Sequence, residues 1–282
     1  MISTLVKINP SQIVIGTANL NNNYGINCKS LNRKDFEKII QVGLDLGIEE
    51  IDTAEDYNNS LILSDILKNN TTKLKINTKI KINLSNGVKK EFDLIQKKIE
   101  NMTFTPNILF IHNQEFLTNR NDYFFFKDNL KKTYPEIKLG VSIYDKDILI
   151  KLLKLDENLI FQYPLNPLIE DYTQLTNTKL INYCRSIFLQ GLLLQKINFG
   201  DNSILISIKK KFNSKLKDLK INKFDYLISY ASIRSKSNKI VIGLDNIKQL
   251  KKIFSVDLID INEINFNLSE IEKQNCDPRK WS

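Results

Sequence analysis

Residues 50–57 read Glu-Ile-Asp-Thr-Ala-Glu-Asp-Tyr. A short apolar-centred run that turns polar predicts a strand ending at Asp52 and opening into a loop that carries Tyr57. Upstream, Phe36, Ile39, Ile40, Gly43 and Leu44 recur at helical spacing, with Asn32 placed to cap that helix and Gly47 to stop it. Before it, Ile13–Gly16 reads as a strand. After Tyr57 the pattern predicts a helix over Leu61–Leu67 and a strand over Leu74–Lys81.

The same alternation continues outward. Helices are predicted at Val88–Ile99, Phe116–Leu130, Ile148–Leu155, Ile204–Leu216, Phe224–Ile233 and Ile247–Phe254. Strands are predicted at Ile108–Ile111, Ile137–Ser142, Ile160–Tyr163, Ser186–Leu189 and Lys239–Ile242. Eight strands among helices predict a parallel sheet covered on both faces. The 282 residues suit a (β/α)8 TIM barrel, which takes about 250. No G-x-G-x-x-G follows the first strand, which argues against an open nucleotide-binding sheet. Nine glycines and six prolines leave little material for a linker, so residues 1–282 read as one α/β domain.

Composition narrows the function. Cys28, Cys184 and Cys276 show no paired spacing, so three free thiols in a reducing cytoplasm are expected, with no metal site. No apolar run is long enough to span a membrane, and Met1–Lys7 has no secretory pattern. The formal charge of +9 suits an anionic cofactor or substrate. The lysines are scattered, and the longest run, Lys209–Lys211, has only Phe212 beside it, so no nucleic-acid partner is expected. The sequence does not specify an oligomeric state.

In a parallel barrel the chemistry gathers where strands end. Asp52, Tyr57, Lys79 and the sole histidine, His112, fall at the ends of three consecutive strands. An ammonium beside a phenol favours the phenolate and lowers its pKa, a carboxylate holds the ammonium, and an imidazole orients a carbonyl by hydrogen bonding. Such a set can protonate a carbonyl oxygen without a metal.

These residues resemble an aldo-keto reductase of the bacterial branch. Asp52-Thr53-Ala54-Glu55-Asp56-Tyr57 resembles the family's D-T-A-x-x-Y motif, Thr78-Lys79 its strand-three T-K, and Ile111-His112 its strand-four I-H. Gly16-Thr17-Ala18 with Tyr24-Gly25, Gly140-Val141-Ser142, Gln162 with Asn166, Phe188–Leu193 and Val241-Ile242-Gly243 also match. The resemblance implies NAD(P)H-dependent reduction of a small-molecule aldehyde or ketone, with Tyr57 as proton donor and Asp52, Lys79 and His112 as its partners. It implies cofactor binding by Gly16, Thr17, Ala18, Asp52, Ser142, Gln162, Arg185, Phe188, Gln190, Gly191, Gly243, Asp245, Lys248, Gln249 and Lys252. Ser142 and Gln162 would hold the carboxamide, Phe188–Gly191 the pyrophosphate, and the Gly243–Gln249 turn the adenosine end. NADP(H) is favoured, through Lys248 or Lys252, with NAD(H) as the alternative through Asp245. The ending Asp277-Pro278-Arg279-Lys280-Trp281 resembles the tail of that bacterial branch, and the branch resemblance implies a sugar-derived carbonyl as substrate.

Three departures stand out: Asn58 replaces the usual glycine after the tyrosine, Ile143 an asparagine, and Arg185 a tyrosine that stacks on nicotinamide. A nucleotide-binding, redox-sensing protein with little turnover and a barrel enzyme of other chemistry are the competing readings.

Overall fold

The computed structural model describes residues 6–25, 30–68, 74–83, 85, 87–113, 119–173, 175, 179–195, 202–236, 238–260 and 264–281. Eight parallel strands close into a barrel in chain order. They are β1 (Ile13–Gly16), β2 (Glu50–Asp52), β3 (Lys75–Ile80), β4 (Ile108–Ile111), β5 (Lys138–Ser142), β6 (Ile160–Pro164), β7 (Tyr183–Arg185) and β8 (Lys239–Gly243). Closure is by β1 on β8, with Gly16 opposite Gly243. On its other side Gly16 faces Asp52, which faces Asn77.

The helices are α1 (Arg33–Asp45), α2 (Ser60–Leu67), α3 (Val88–Glu100), α4 (Arg120–Thr133), α5 (Lys146–Leu155), α6 (Ser203–Asp218), α7 (Lys223–Ser235), α8 (Ile247–Ser255) and α9 (Glu270–Gln274). Asn32 caps α1 by accepting from the Asp35 N–H, and Gly47 ends its final turn at φ +93°. Phe36, Ile39 and Ile40 of α1 and Leu250 and Ile253 of α8 are buried in the same cluster as Ile13, Ile15 and Ile51, which seals the outside of β1 and β2.

Inside the barrel, Val14, Ile108, Phe110, Tyr183 and Val241 form a separate cluster. Phe110 meets Tyr183 edge-on at 5.5 Å. A Cβ on Gly140 would sit 2.5 Å from the Phe110 ring, so only glycine at 140 admits that ring. Alternation along β2 sends Glu50 and Asp52 to the same face. Glu50 is buried and pairs with Lys239 at 3.0 Å, accepting also from Asn77 at 2.9 Å and Tyr183 at 2.7 Å. This polar layer lies below Asp52 and was not anticipated from the sequence.

The expected seventh strand is displaced. Ser186–Leu189 is not extended: Ser186, Leu189 and Gln190 all have left-handed backbones, and the strand is Tyr183–Arg185 instead. The apolar run Ile187–Leu189 packs into the core from a turn, which periodicity cannot separate from a strand. Residues 116–118 of the expected Phe116–Leu130 helix lie outside the described residues, and the described helix starts after an Asn119 cap. The short α9, closed by a Ser269–Glu272 capping box, was missed. Cys184 and Cys276 are free and buried, burial pushing both thiols up to about 12; Cys28 lies outside the described residues.

Candidate active site

Three strand ends assemble the centre of the site. Asp52 closes β2 and Lys79 sits one residue before the end of β3; both side chains are almost fully buried. The Lys79 ammonium contacts Asp52 Oδ2, and Gln162 Nε2 of β6 donates to Asp52 Oδ1 at 2.7 Å. Both carboxylate oxygens are therefore engaged. Burial pushes the Lys79 pKa down, and Asp52 opposes it.

Tyr57 stands on a single 3-10 turn, Glu55–Tyr57, between β2 and α2. Glu55 pins this turn, accepting from the Lys81 N–H at 2.5 Å and from Lys98 Nζ at 2.7 Å. Asn58 leaves it with φ +50° and ψ 28°. Asparagine tolerates this left-handed geometry better than most residues, so the turn forms without a glycine there. Behind it, Asn59 Nδ2 donates to Thr17 O at 2.7 Å and Thr17 Oγ1 to Thr53 Oγ1 at 2.8 Å, tying the β1 and β2 ends together.

Lys79 Nζ lies 5.6 Å from the Tyr57 ring centroid. The ammonium stands near the phenol, but burial is the largest influence on the phenol's pKa. Burial holds the phenol well above its ordinary value, Asp52 and Tyr24 push the same way, and Arg185 opposes them. Lys79 is itself paired with Asp52. The phenol stays protonated at neutral pH.

His112 follows β4, its N–H bonded to Ile80 O at 2.7 Å. Burial lowers its pKa to about 4, with Lys79 and Arg185 adding to the effect, so the imidazole is neutral at pH 7. Its Nδ1 lies 3.5 Å from Asp56 and has no hydrogen-bond partner, while Asp56 pairs with Lys81 at 2.7 Å.

A cavity of about 180 Å³ joins these groups to the β1, β7 and β8 ends. Gly16, Thr17, Ala18, Asp52, Tyr57, Lys79, His112, Arg185, Phe188, Gln190, Gly191, Gly243, Asp245 and Gln249 all line it. Ser142 and Gln162 do not line it; they are buried, and Ser142 Oγ and Gln162 Oε1 lack hydrogen-bond partners. Lys248 and Lys252 also lie off its lining, exposed on α8, with Lys252 Nζ 4.3 Å above the Phe224 ring. Asn19, Tyr24, Tyr144, Ser186 and Phe224 line it without having been predicted to. They sit in loops or on a helix, where periodicity gives an element but not which residues face a cavity.

The cavity's far end is shaped by backbone. A Cβ on Gly25 would lie 2.9 Å from Gln190 O, so the loop after β1 closes against the β7 turn only as glycine. Gly243 is exposed, with nothing within 4 Å of where a Cβ would be. Beyond it, the Asp245 N–H donates to Gln249 Oε1 at 2.8 Å and Gln249 Nε2 returns to Asp245 Oδ2 at 3.0 Å.

The family model for the aldo/keto reductase family matches residues 12–270. The chain belongs to this family. Its members are oxidoreductases that generally use nicotinamide cofactors. Among solved structures, the aldo-keto reductase has the fold of a Gluconobacter oxydans glycerol dehydrogenase, at 16% identity and TM-score 0.63, covering 99% of this chain and 95% of that one. It is equally similar to the holo form of a Bacillus halodurans aldo-keto reductase, at 15% identity and TM-score 0.66, covering 98% and 95%. A putative aldo-keto reductase from Pseudomona aeruginosa aligns at 12% identity and TM-score 0.58, over 88% and 89%. No curated protein matches in sequence. No helix among the described residues is long and apolar enough to cross a membrane.

The depressed His112 pKa has a stability consequence. Unfolded, the imidazole takes its proton near 6.5; folded, only near 4. Between these values the unfolded state binds more protons, so the His112 contribution is full above pH 6.5 and is lost as pH falls toward 4. The slope approaches about 1.4 kcal/mol per pH unit. His112 is the only histidine. Denaturation midpoints between pH 7 and 5 should therefore fall in the wild type and stay flat in His112→Gln; parallel curves would contradict the assignment.

Proposed function

We propose that this aldo-keto reductase reduces an aldehyde or ketone to an alcohol with NAD(P)H. The observation that carries the reading is the convergence of a protonated Tyr57, a buried Lys79–Asp52 pair and a neutral His112 on one cavity wall. A nicotinamide cofactor fits the residues present. Buried and outside the cavity lining, the unpartnered Ser142 Oγ and Gln162 Oε1 offer the one donor and one acceptor that a carboxamide needs. The open Gly243 and the backbone turn at Phe188–Gly191 suit phosphate and ribose.

Bound there, the reduced nicotinamide supplies the hydride. The protein's own residues manage the oxygen. Tyr57 donates its hydroxyl proton as negative charge builds on the carbonyl oxygen, and solvent restores that proton later. Lys79, fixed by Asp52, then faces a phenolate, and its charge is worth most at that moment. Lys81 neutralises Asp56, so Asp56 does not compel the His112 proton onto Nδ1. The proton is then free to sit on Nε2, where the N–H can hydrogen-bond to the substrate oxygen and orient it without giving the proton up.

NADP(H) is the cofactor we favour. Lys252 stands above Phe224, a residue of the cavity wall, and Lys248 is one turn earlier on the same helix. Together they offer two cations to a 2′-phosphate. One assay tests both parts: NADPH and NADH are each offered with a panel of aldehydes, ketones and keto-sugars, and loss of reduced nicotinamide is followed. Carbonyl-dependent oxidation with NADPH preferred is expected, and Lys248→Ala with Lys252→Ala should weaken NADPH far more than NADH. No oxidation with any carbonyl would refute the reading. A wild type that prefers NADH would shift cofactor selection to Asp245.

A further inference from the structure

Two guanidinium groups clasp one ring beside the cavity. Arg185 Cζ lies 3.8 Å from the Tyr144 ring centroid and Arg279 Cζ lies 3.9 Å from it. The two arginines differ in one respect. Arg279 is forked by Asp277, with Nε at 2.9 Å and Nη2 at 2.6 Å from Oδ2. Arg185 has no carboxylate partner among the described residues. Its Nη2 donates to Ile143 O at 2.9 Å and its Nη1 makes a long contact to Ser186 Oγ at 3.4 Å. A guanidinium carries five N–H donors, so Arg185 keeps several unused.

Its place matters more than its count of donors. Arg185 is half-buried at the C-terminal end of β7 and lines the same cavity as Tyr57, Lys79 and His112. At that catalytic end, Lys79 is neutralised by Asp52, and Asp245 belongs to the far end beyond Gly243. Arg185 is thus the charge left over there. It acts on the other groups, pushing Lys79 and His112 down and opposing the rise at Tyr57. A half-buried cation without a counter-ion is unfavourable unless a ligand supplies one. Tyr144 restricts the guanidinium plane through stacking, so a planar two-oxygen anion meets a preformed fork.

We propose that Arg185 is an anion receptor for the substrate, and that the preferred carbonyl compounds carry a carboxylate. This inference rests on the carbonyl-reduction reading above and names the substrate class within it. A shared chemistry has a second source, the phosphates of the cofactor, and the test separates the two.

The wild type is assayed with aldehyde pairs that differ only in charge: succinic semialdehyde and 4-carboxybenzaldehyde, each against its methyl ester. At least one acid is expected to exceed its ester in kcat/KM by about tenfold or more, the worth of a charge-assisted pair of hydrogen bonds. That acid-to-ester ratio should collapse toward one in Arg185→Met and recover in part in Arg185→Lys, whatever the absolute rates. NADPH affinity, read separately by fluorescence titration, should change much less than the ratio does. Esters equal to acids in the wild type would overturn the proposal. So would a variant that loses NADPH binding while keeping the ratio, because the anion would then be the cofactor's. Absence of turnover with every aldehyde would instead overturn the underlying reading, and displacement of bound 4-carboxybenzaldehyde by its ester in a direct binding assay would still decide the role of Arg185: competition on equal terms counts against it.

Discussion

Tyr57→Phe should fold as the wild type does and reduce carbonyls about 10²–10⁴-fold more slowly, the usual contribution of a general acid. The substitution removes one oxygen from a half-buried ring. That hydroxyl makes no hydrogen bond among the described residues, so its loss leaves no partner stranded and costs little stability. A proton donor aimed at substrate has this character, whereas a structural tyrosine such as Tyr183, bound to Glu50, does not. The variant's thermal midpoint should match the wild type's, and its NADPH titration should be nearly unchanged. Turnover near the wild-type rate would show that another group delivers the proton.

Lys79→Met should have the largest effect on stability. Removing one partner of a buried ion pair typically costs about 3–5 kcal/mol, because the other charge is left uncompensated. Here Asp52 would keep only the Gln162 amide. Denaturant unfolding should show that loss, and Lys79→Met combined with Asp52→Leu should recover part of it. Catalysis should fail for a related reason. With the ammonium gone, Asp52 raises the Tyr57 pKa further, since it already pushes in that direction. Any residual alcohol oxidation, which needs the phenolate, should therefore move to higher pH. A pH–rate profile identical to the wild type's would remove Lys79 from the mechanism.

The barrel was legible because each of its strands but one announces itself. Ile13–Gly16 and Ile108–Ile111 are short apolar runs bounded by polar residues, and they appear as strands at those bounds. Strand seven was not, because its residues Tyr183-Cys184-Arg185 carry no pattern while Ile187–Leu189 beside them does. That Asp52, Tyr57, Lys79 and His112 share one cavity was readable from strand-end position, since parallel strands empty at one face. Electrostatic state was not. Whether Lys79 acts on Tyr57 or is spent on Asp52 depends on burial and on Oδ2 geometry, neither of which spacing encodes. The Tyr144 clasp joins residues 144, 185 and 279, which no local reading brings together. Asn58 shows the reverse case: it departs from the expected glycine and still takes a left-handed backbone that glycine would favour.

Hydride transfer itself can be followed with reduced cofactor carrying deuterium at both C4 positions. With a turned-over aldehyde in ordinary water, one deuterium should appear on the carbinol carbon of the product alcohol. The hydroxyl proton should come from solvent by way of Tyr57, and Tyr57→Phe should slow label transfer in step with turnover. An alcohol without deuterium at that carbon, or no alcohol despite cofactor binding, would contradict the account.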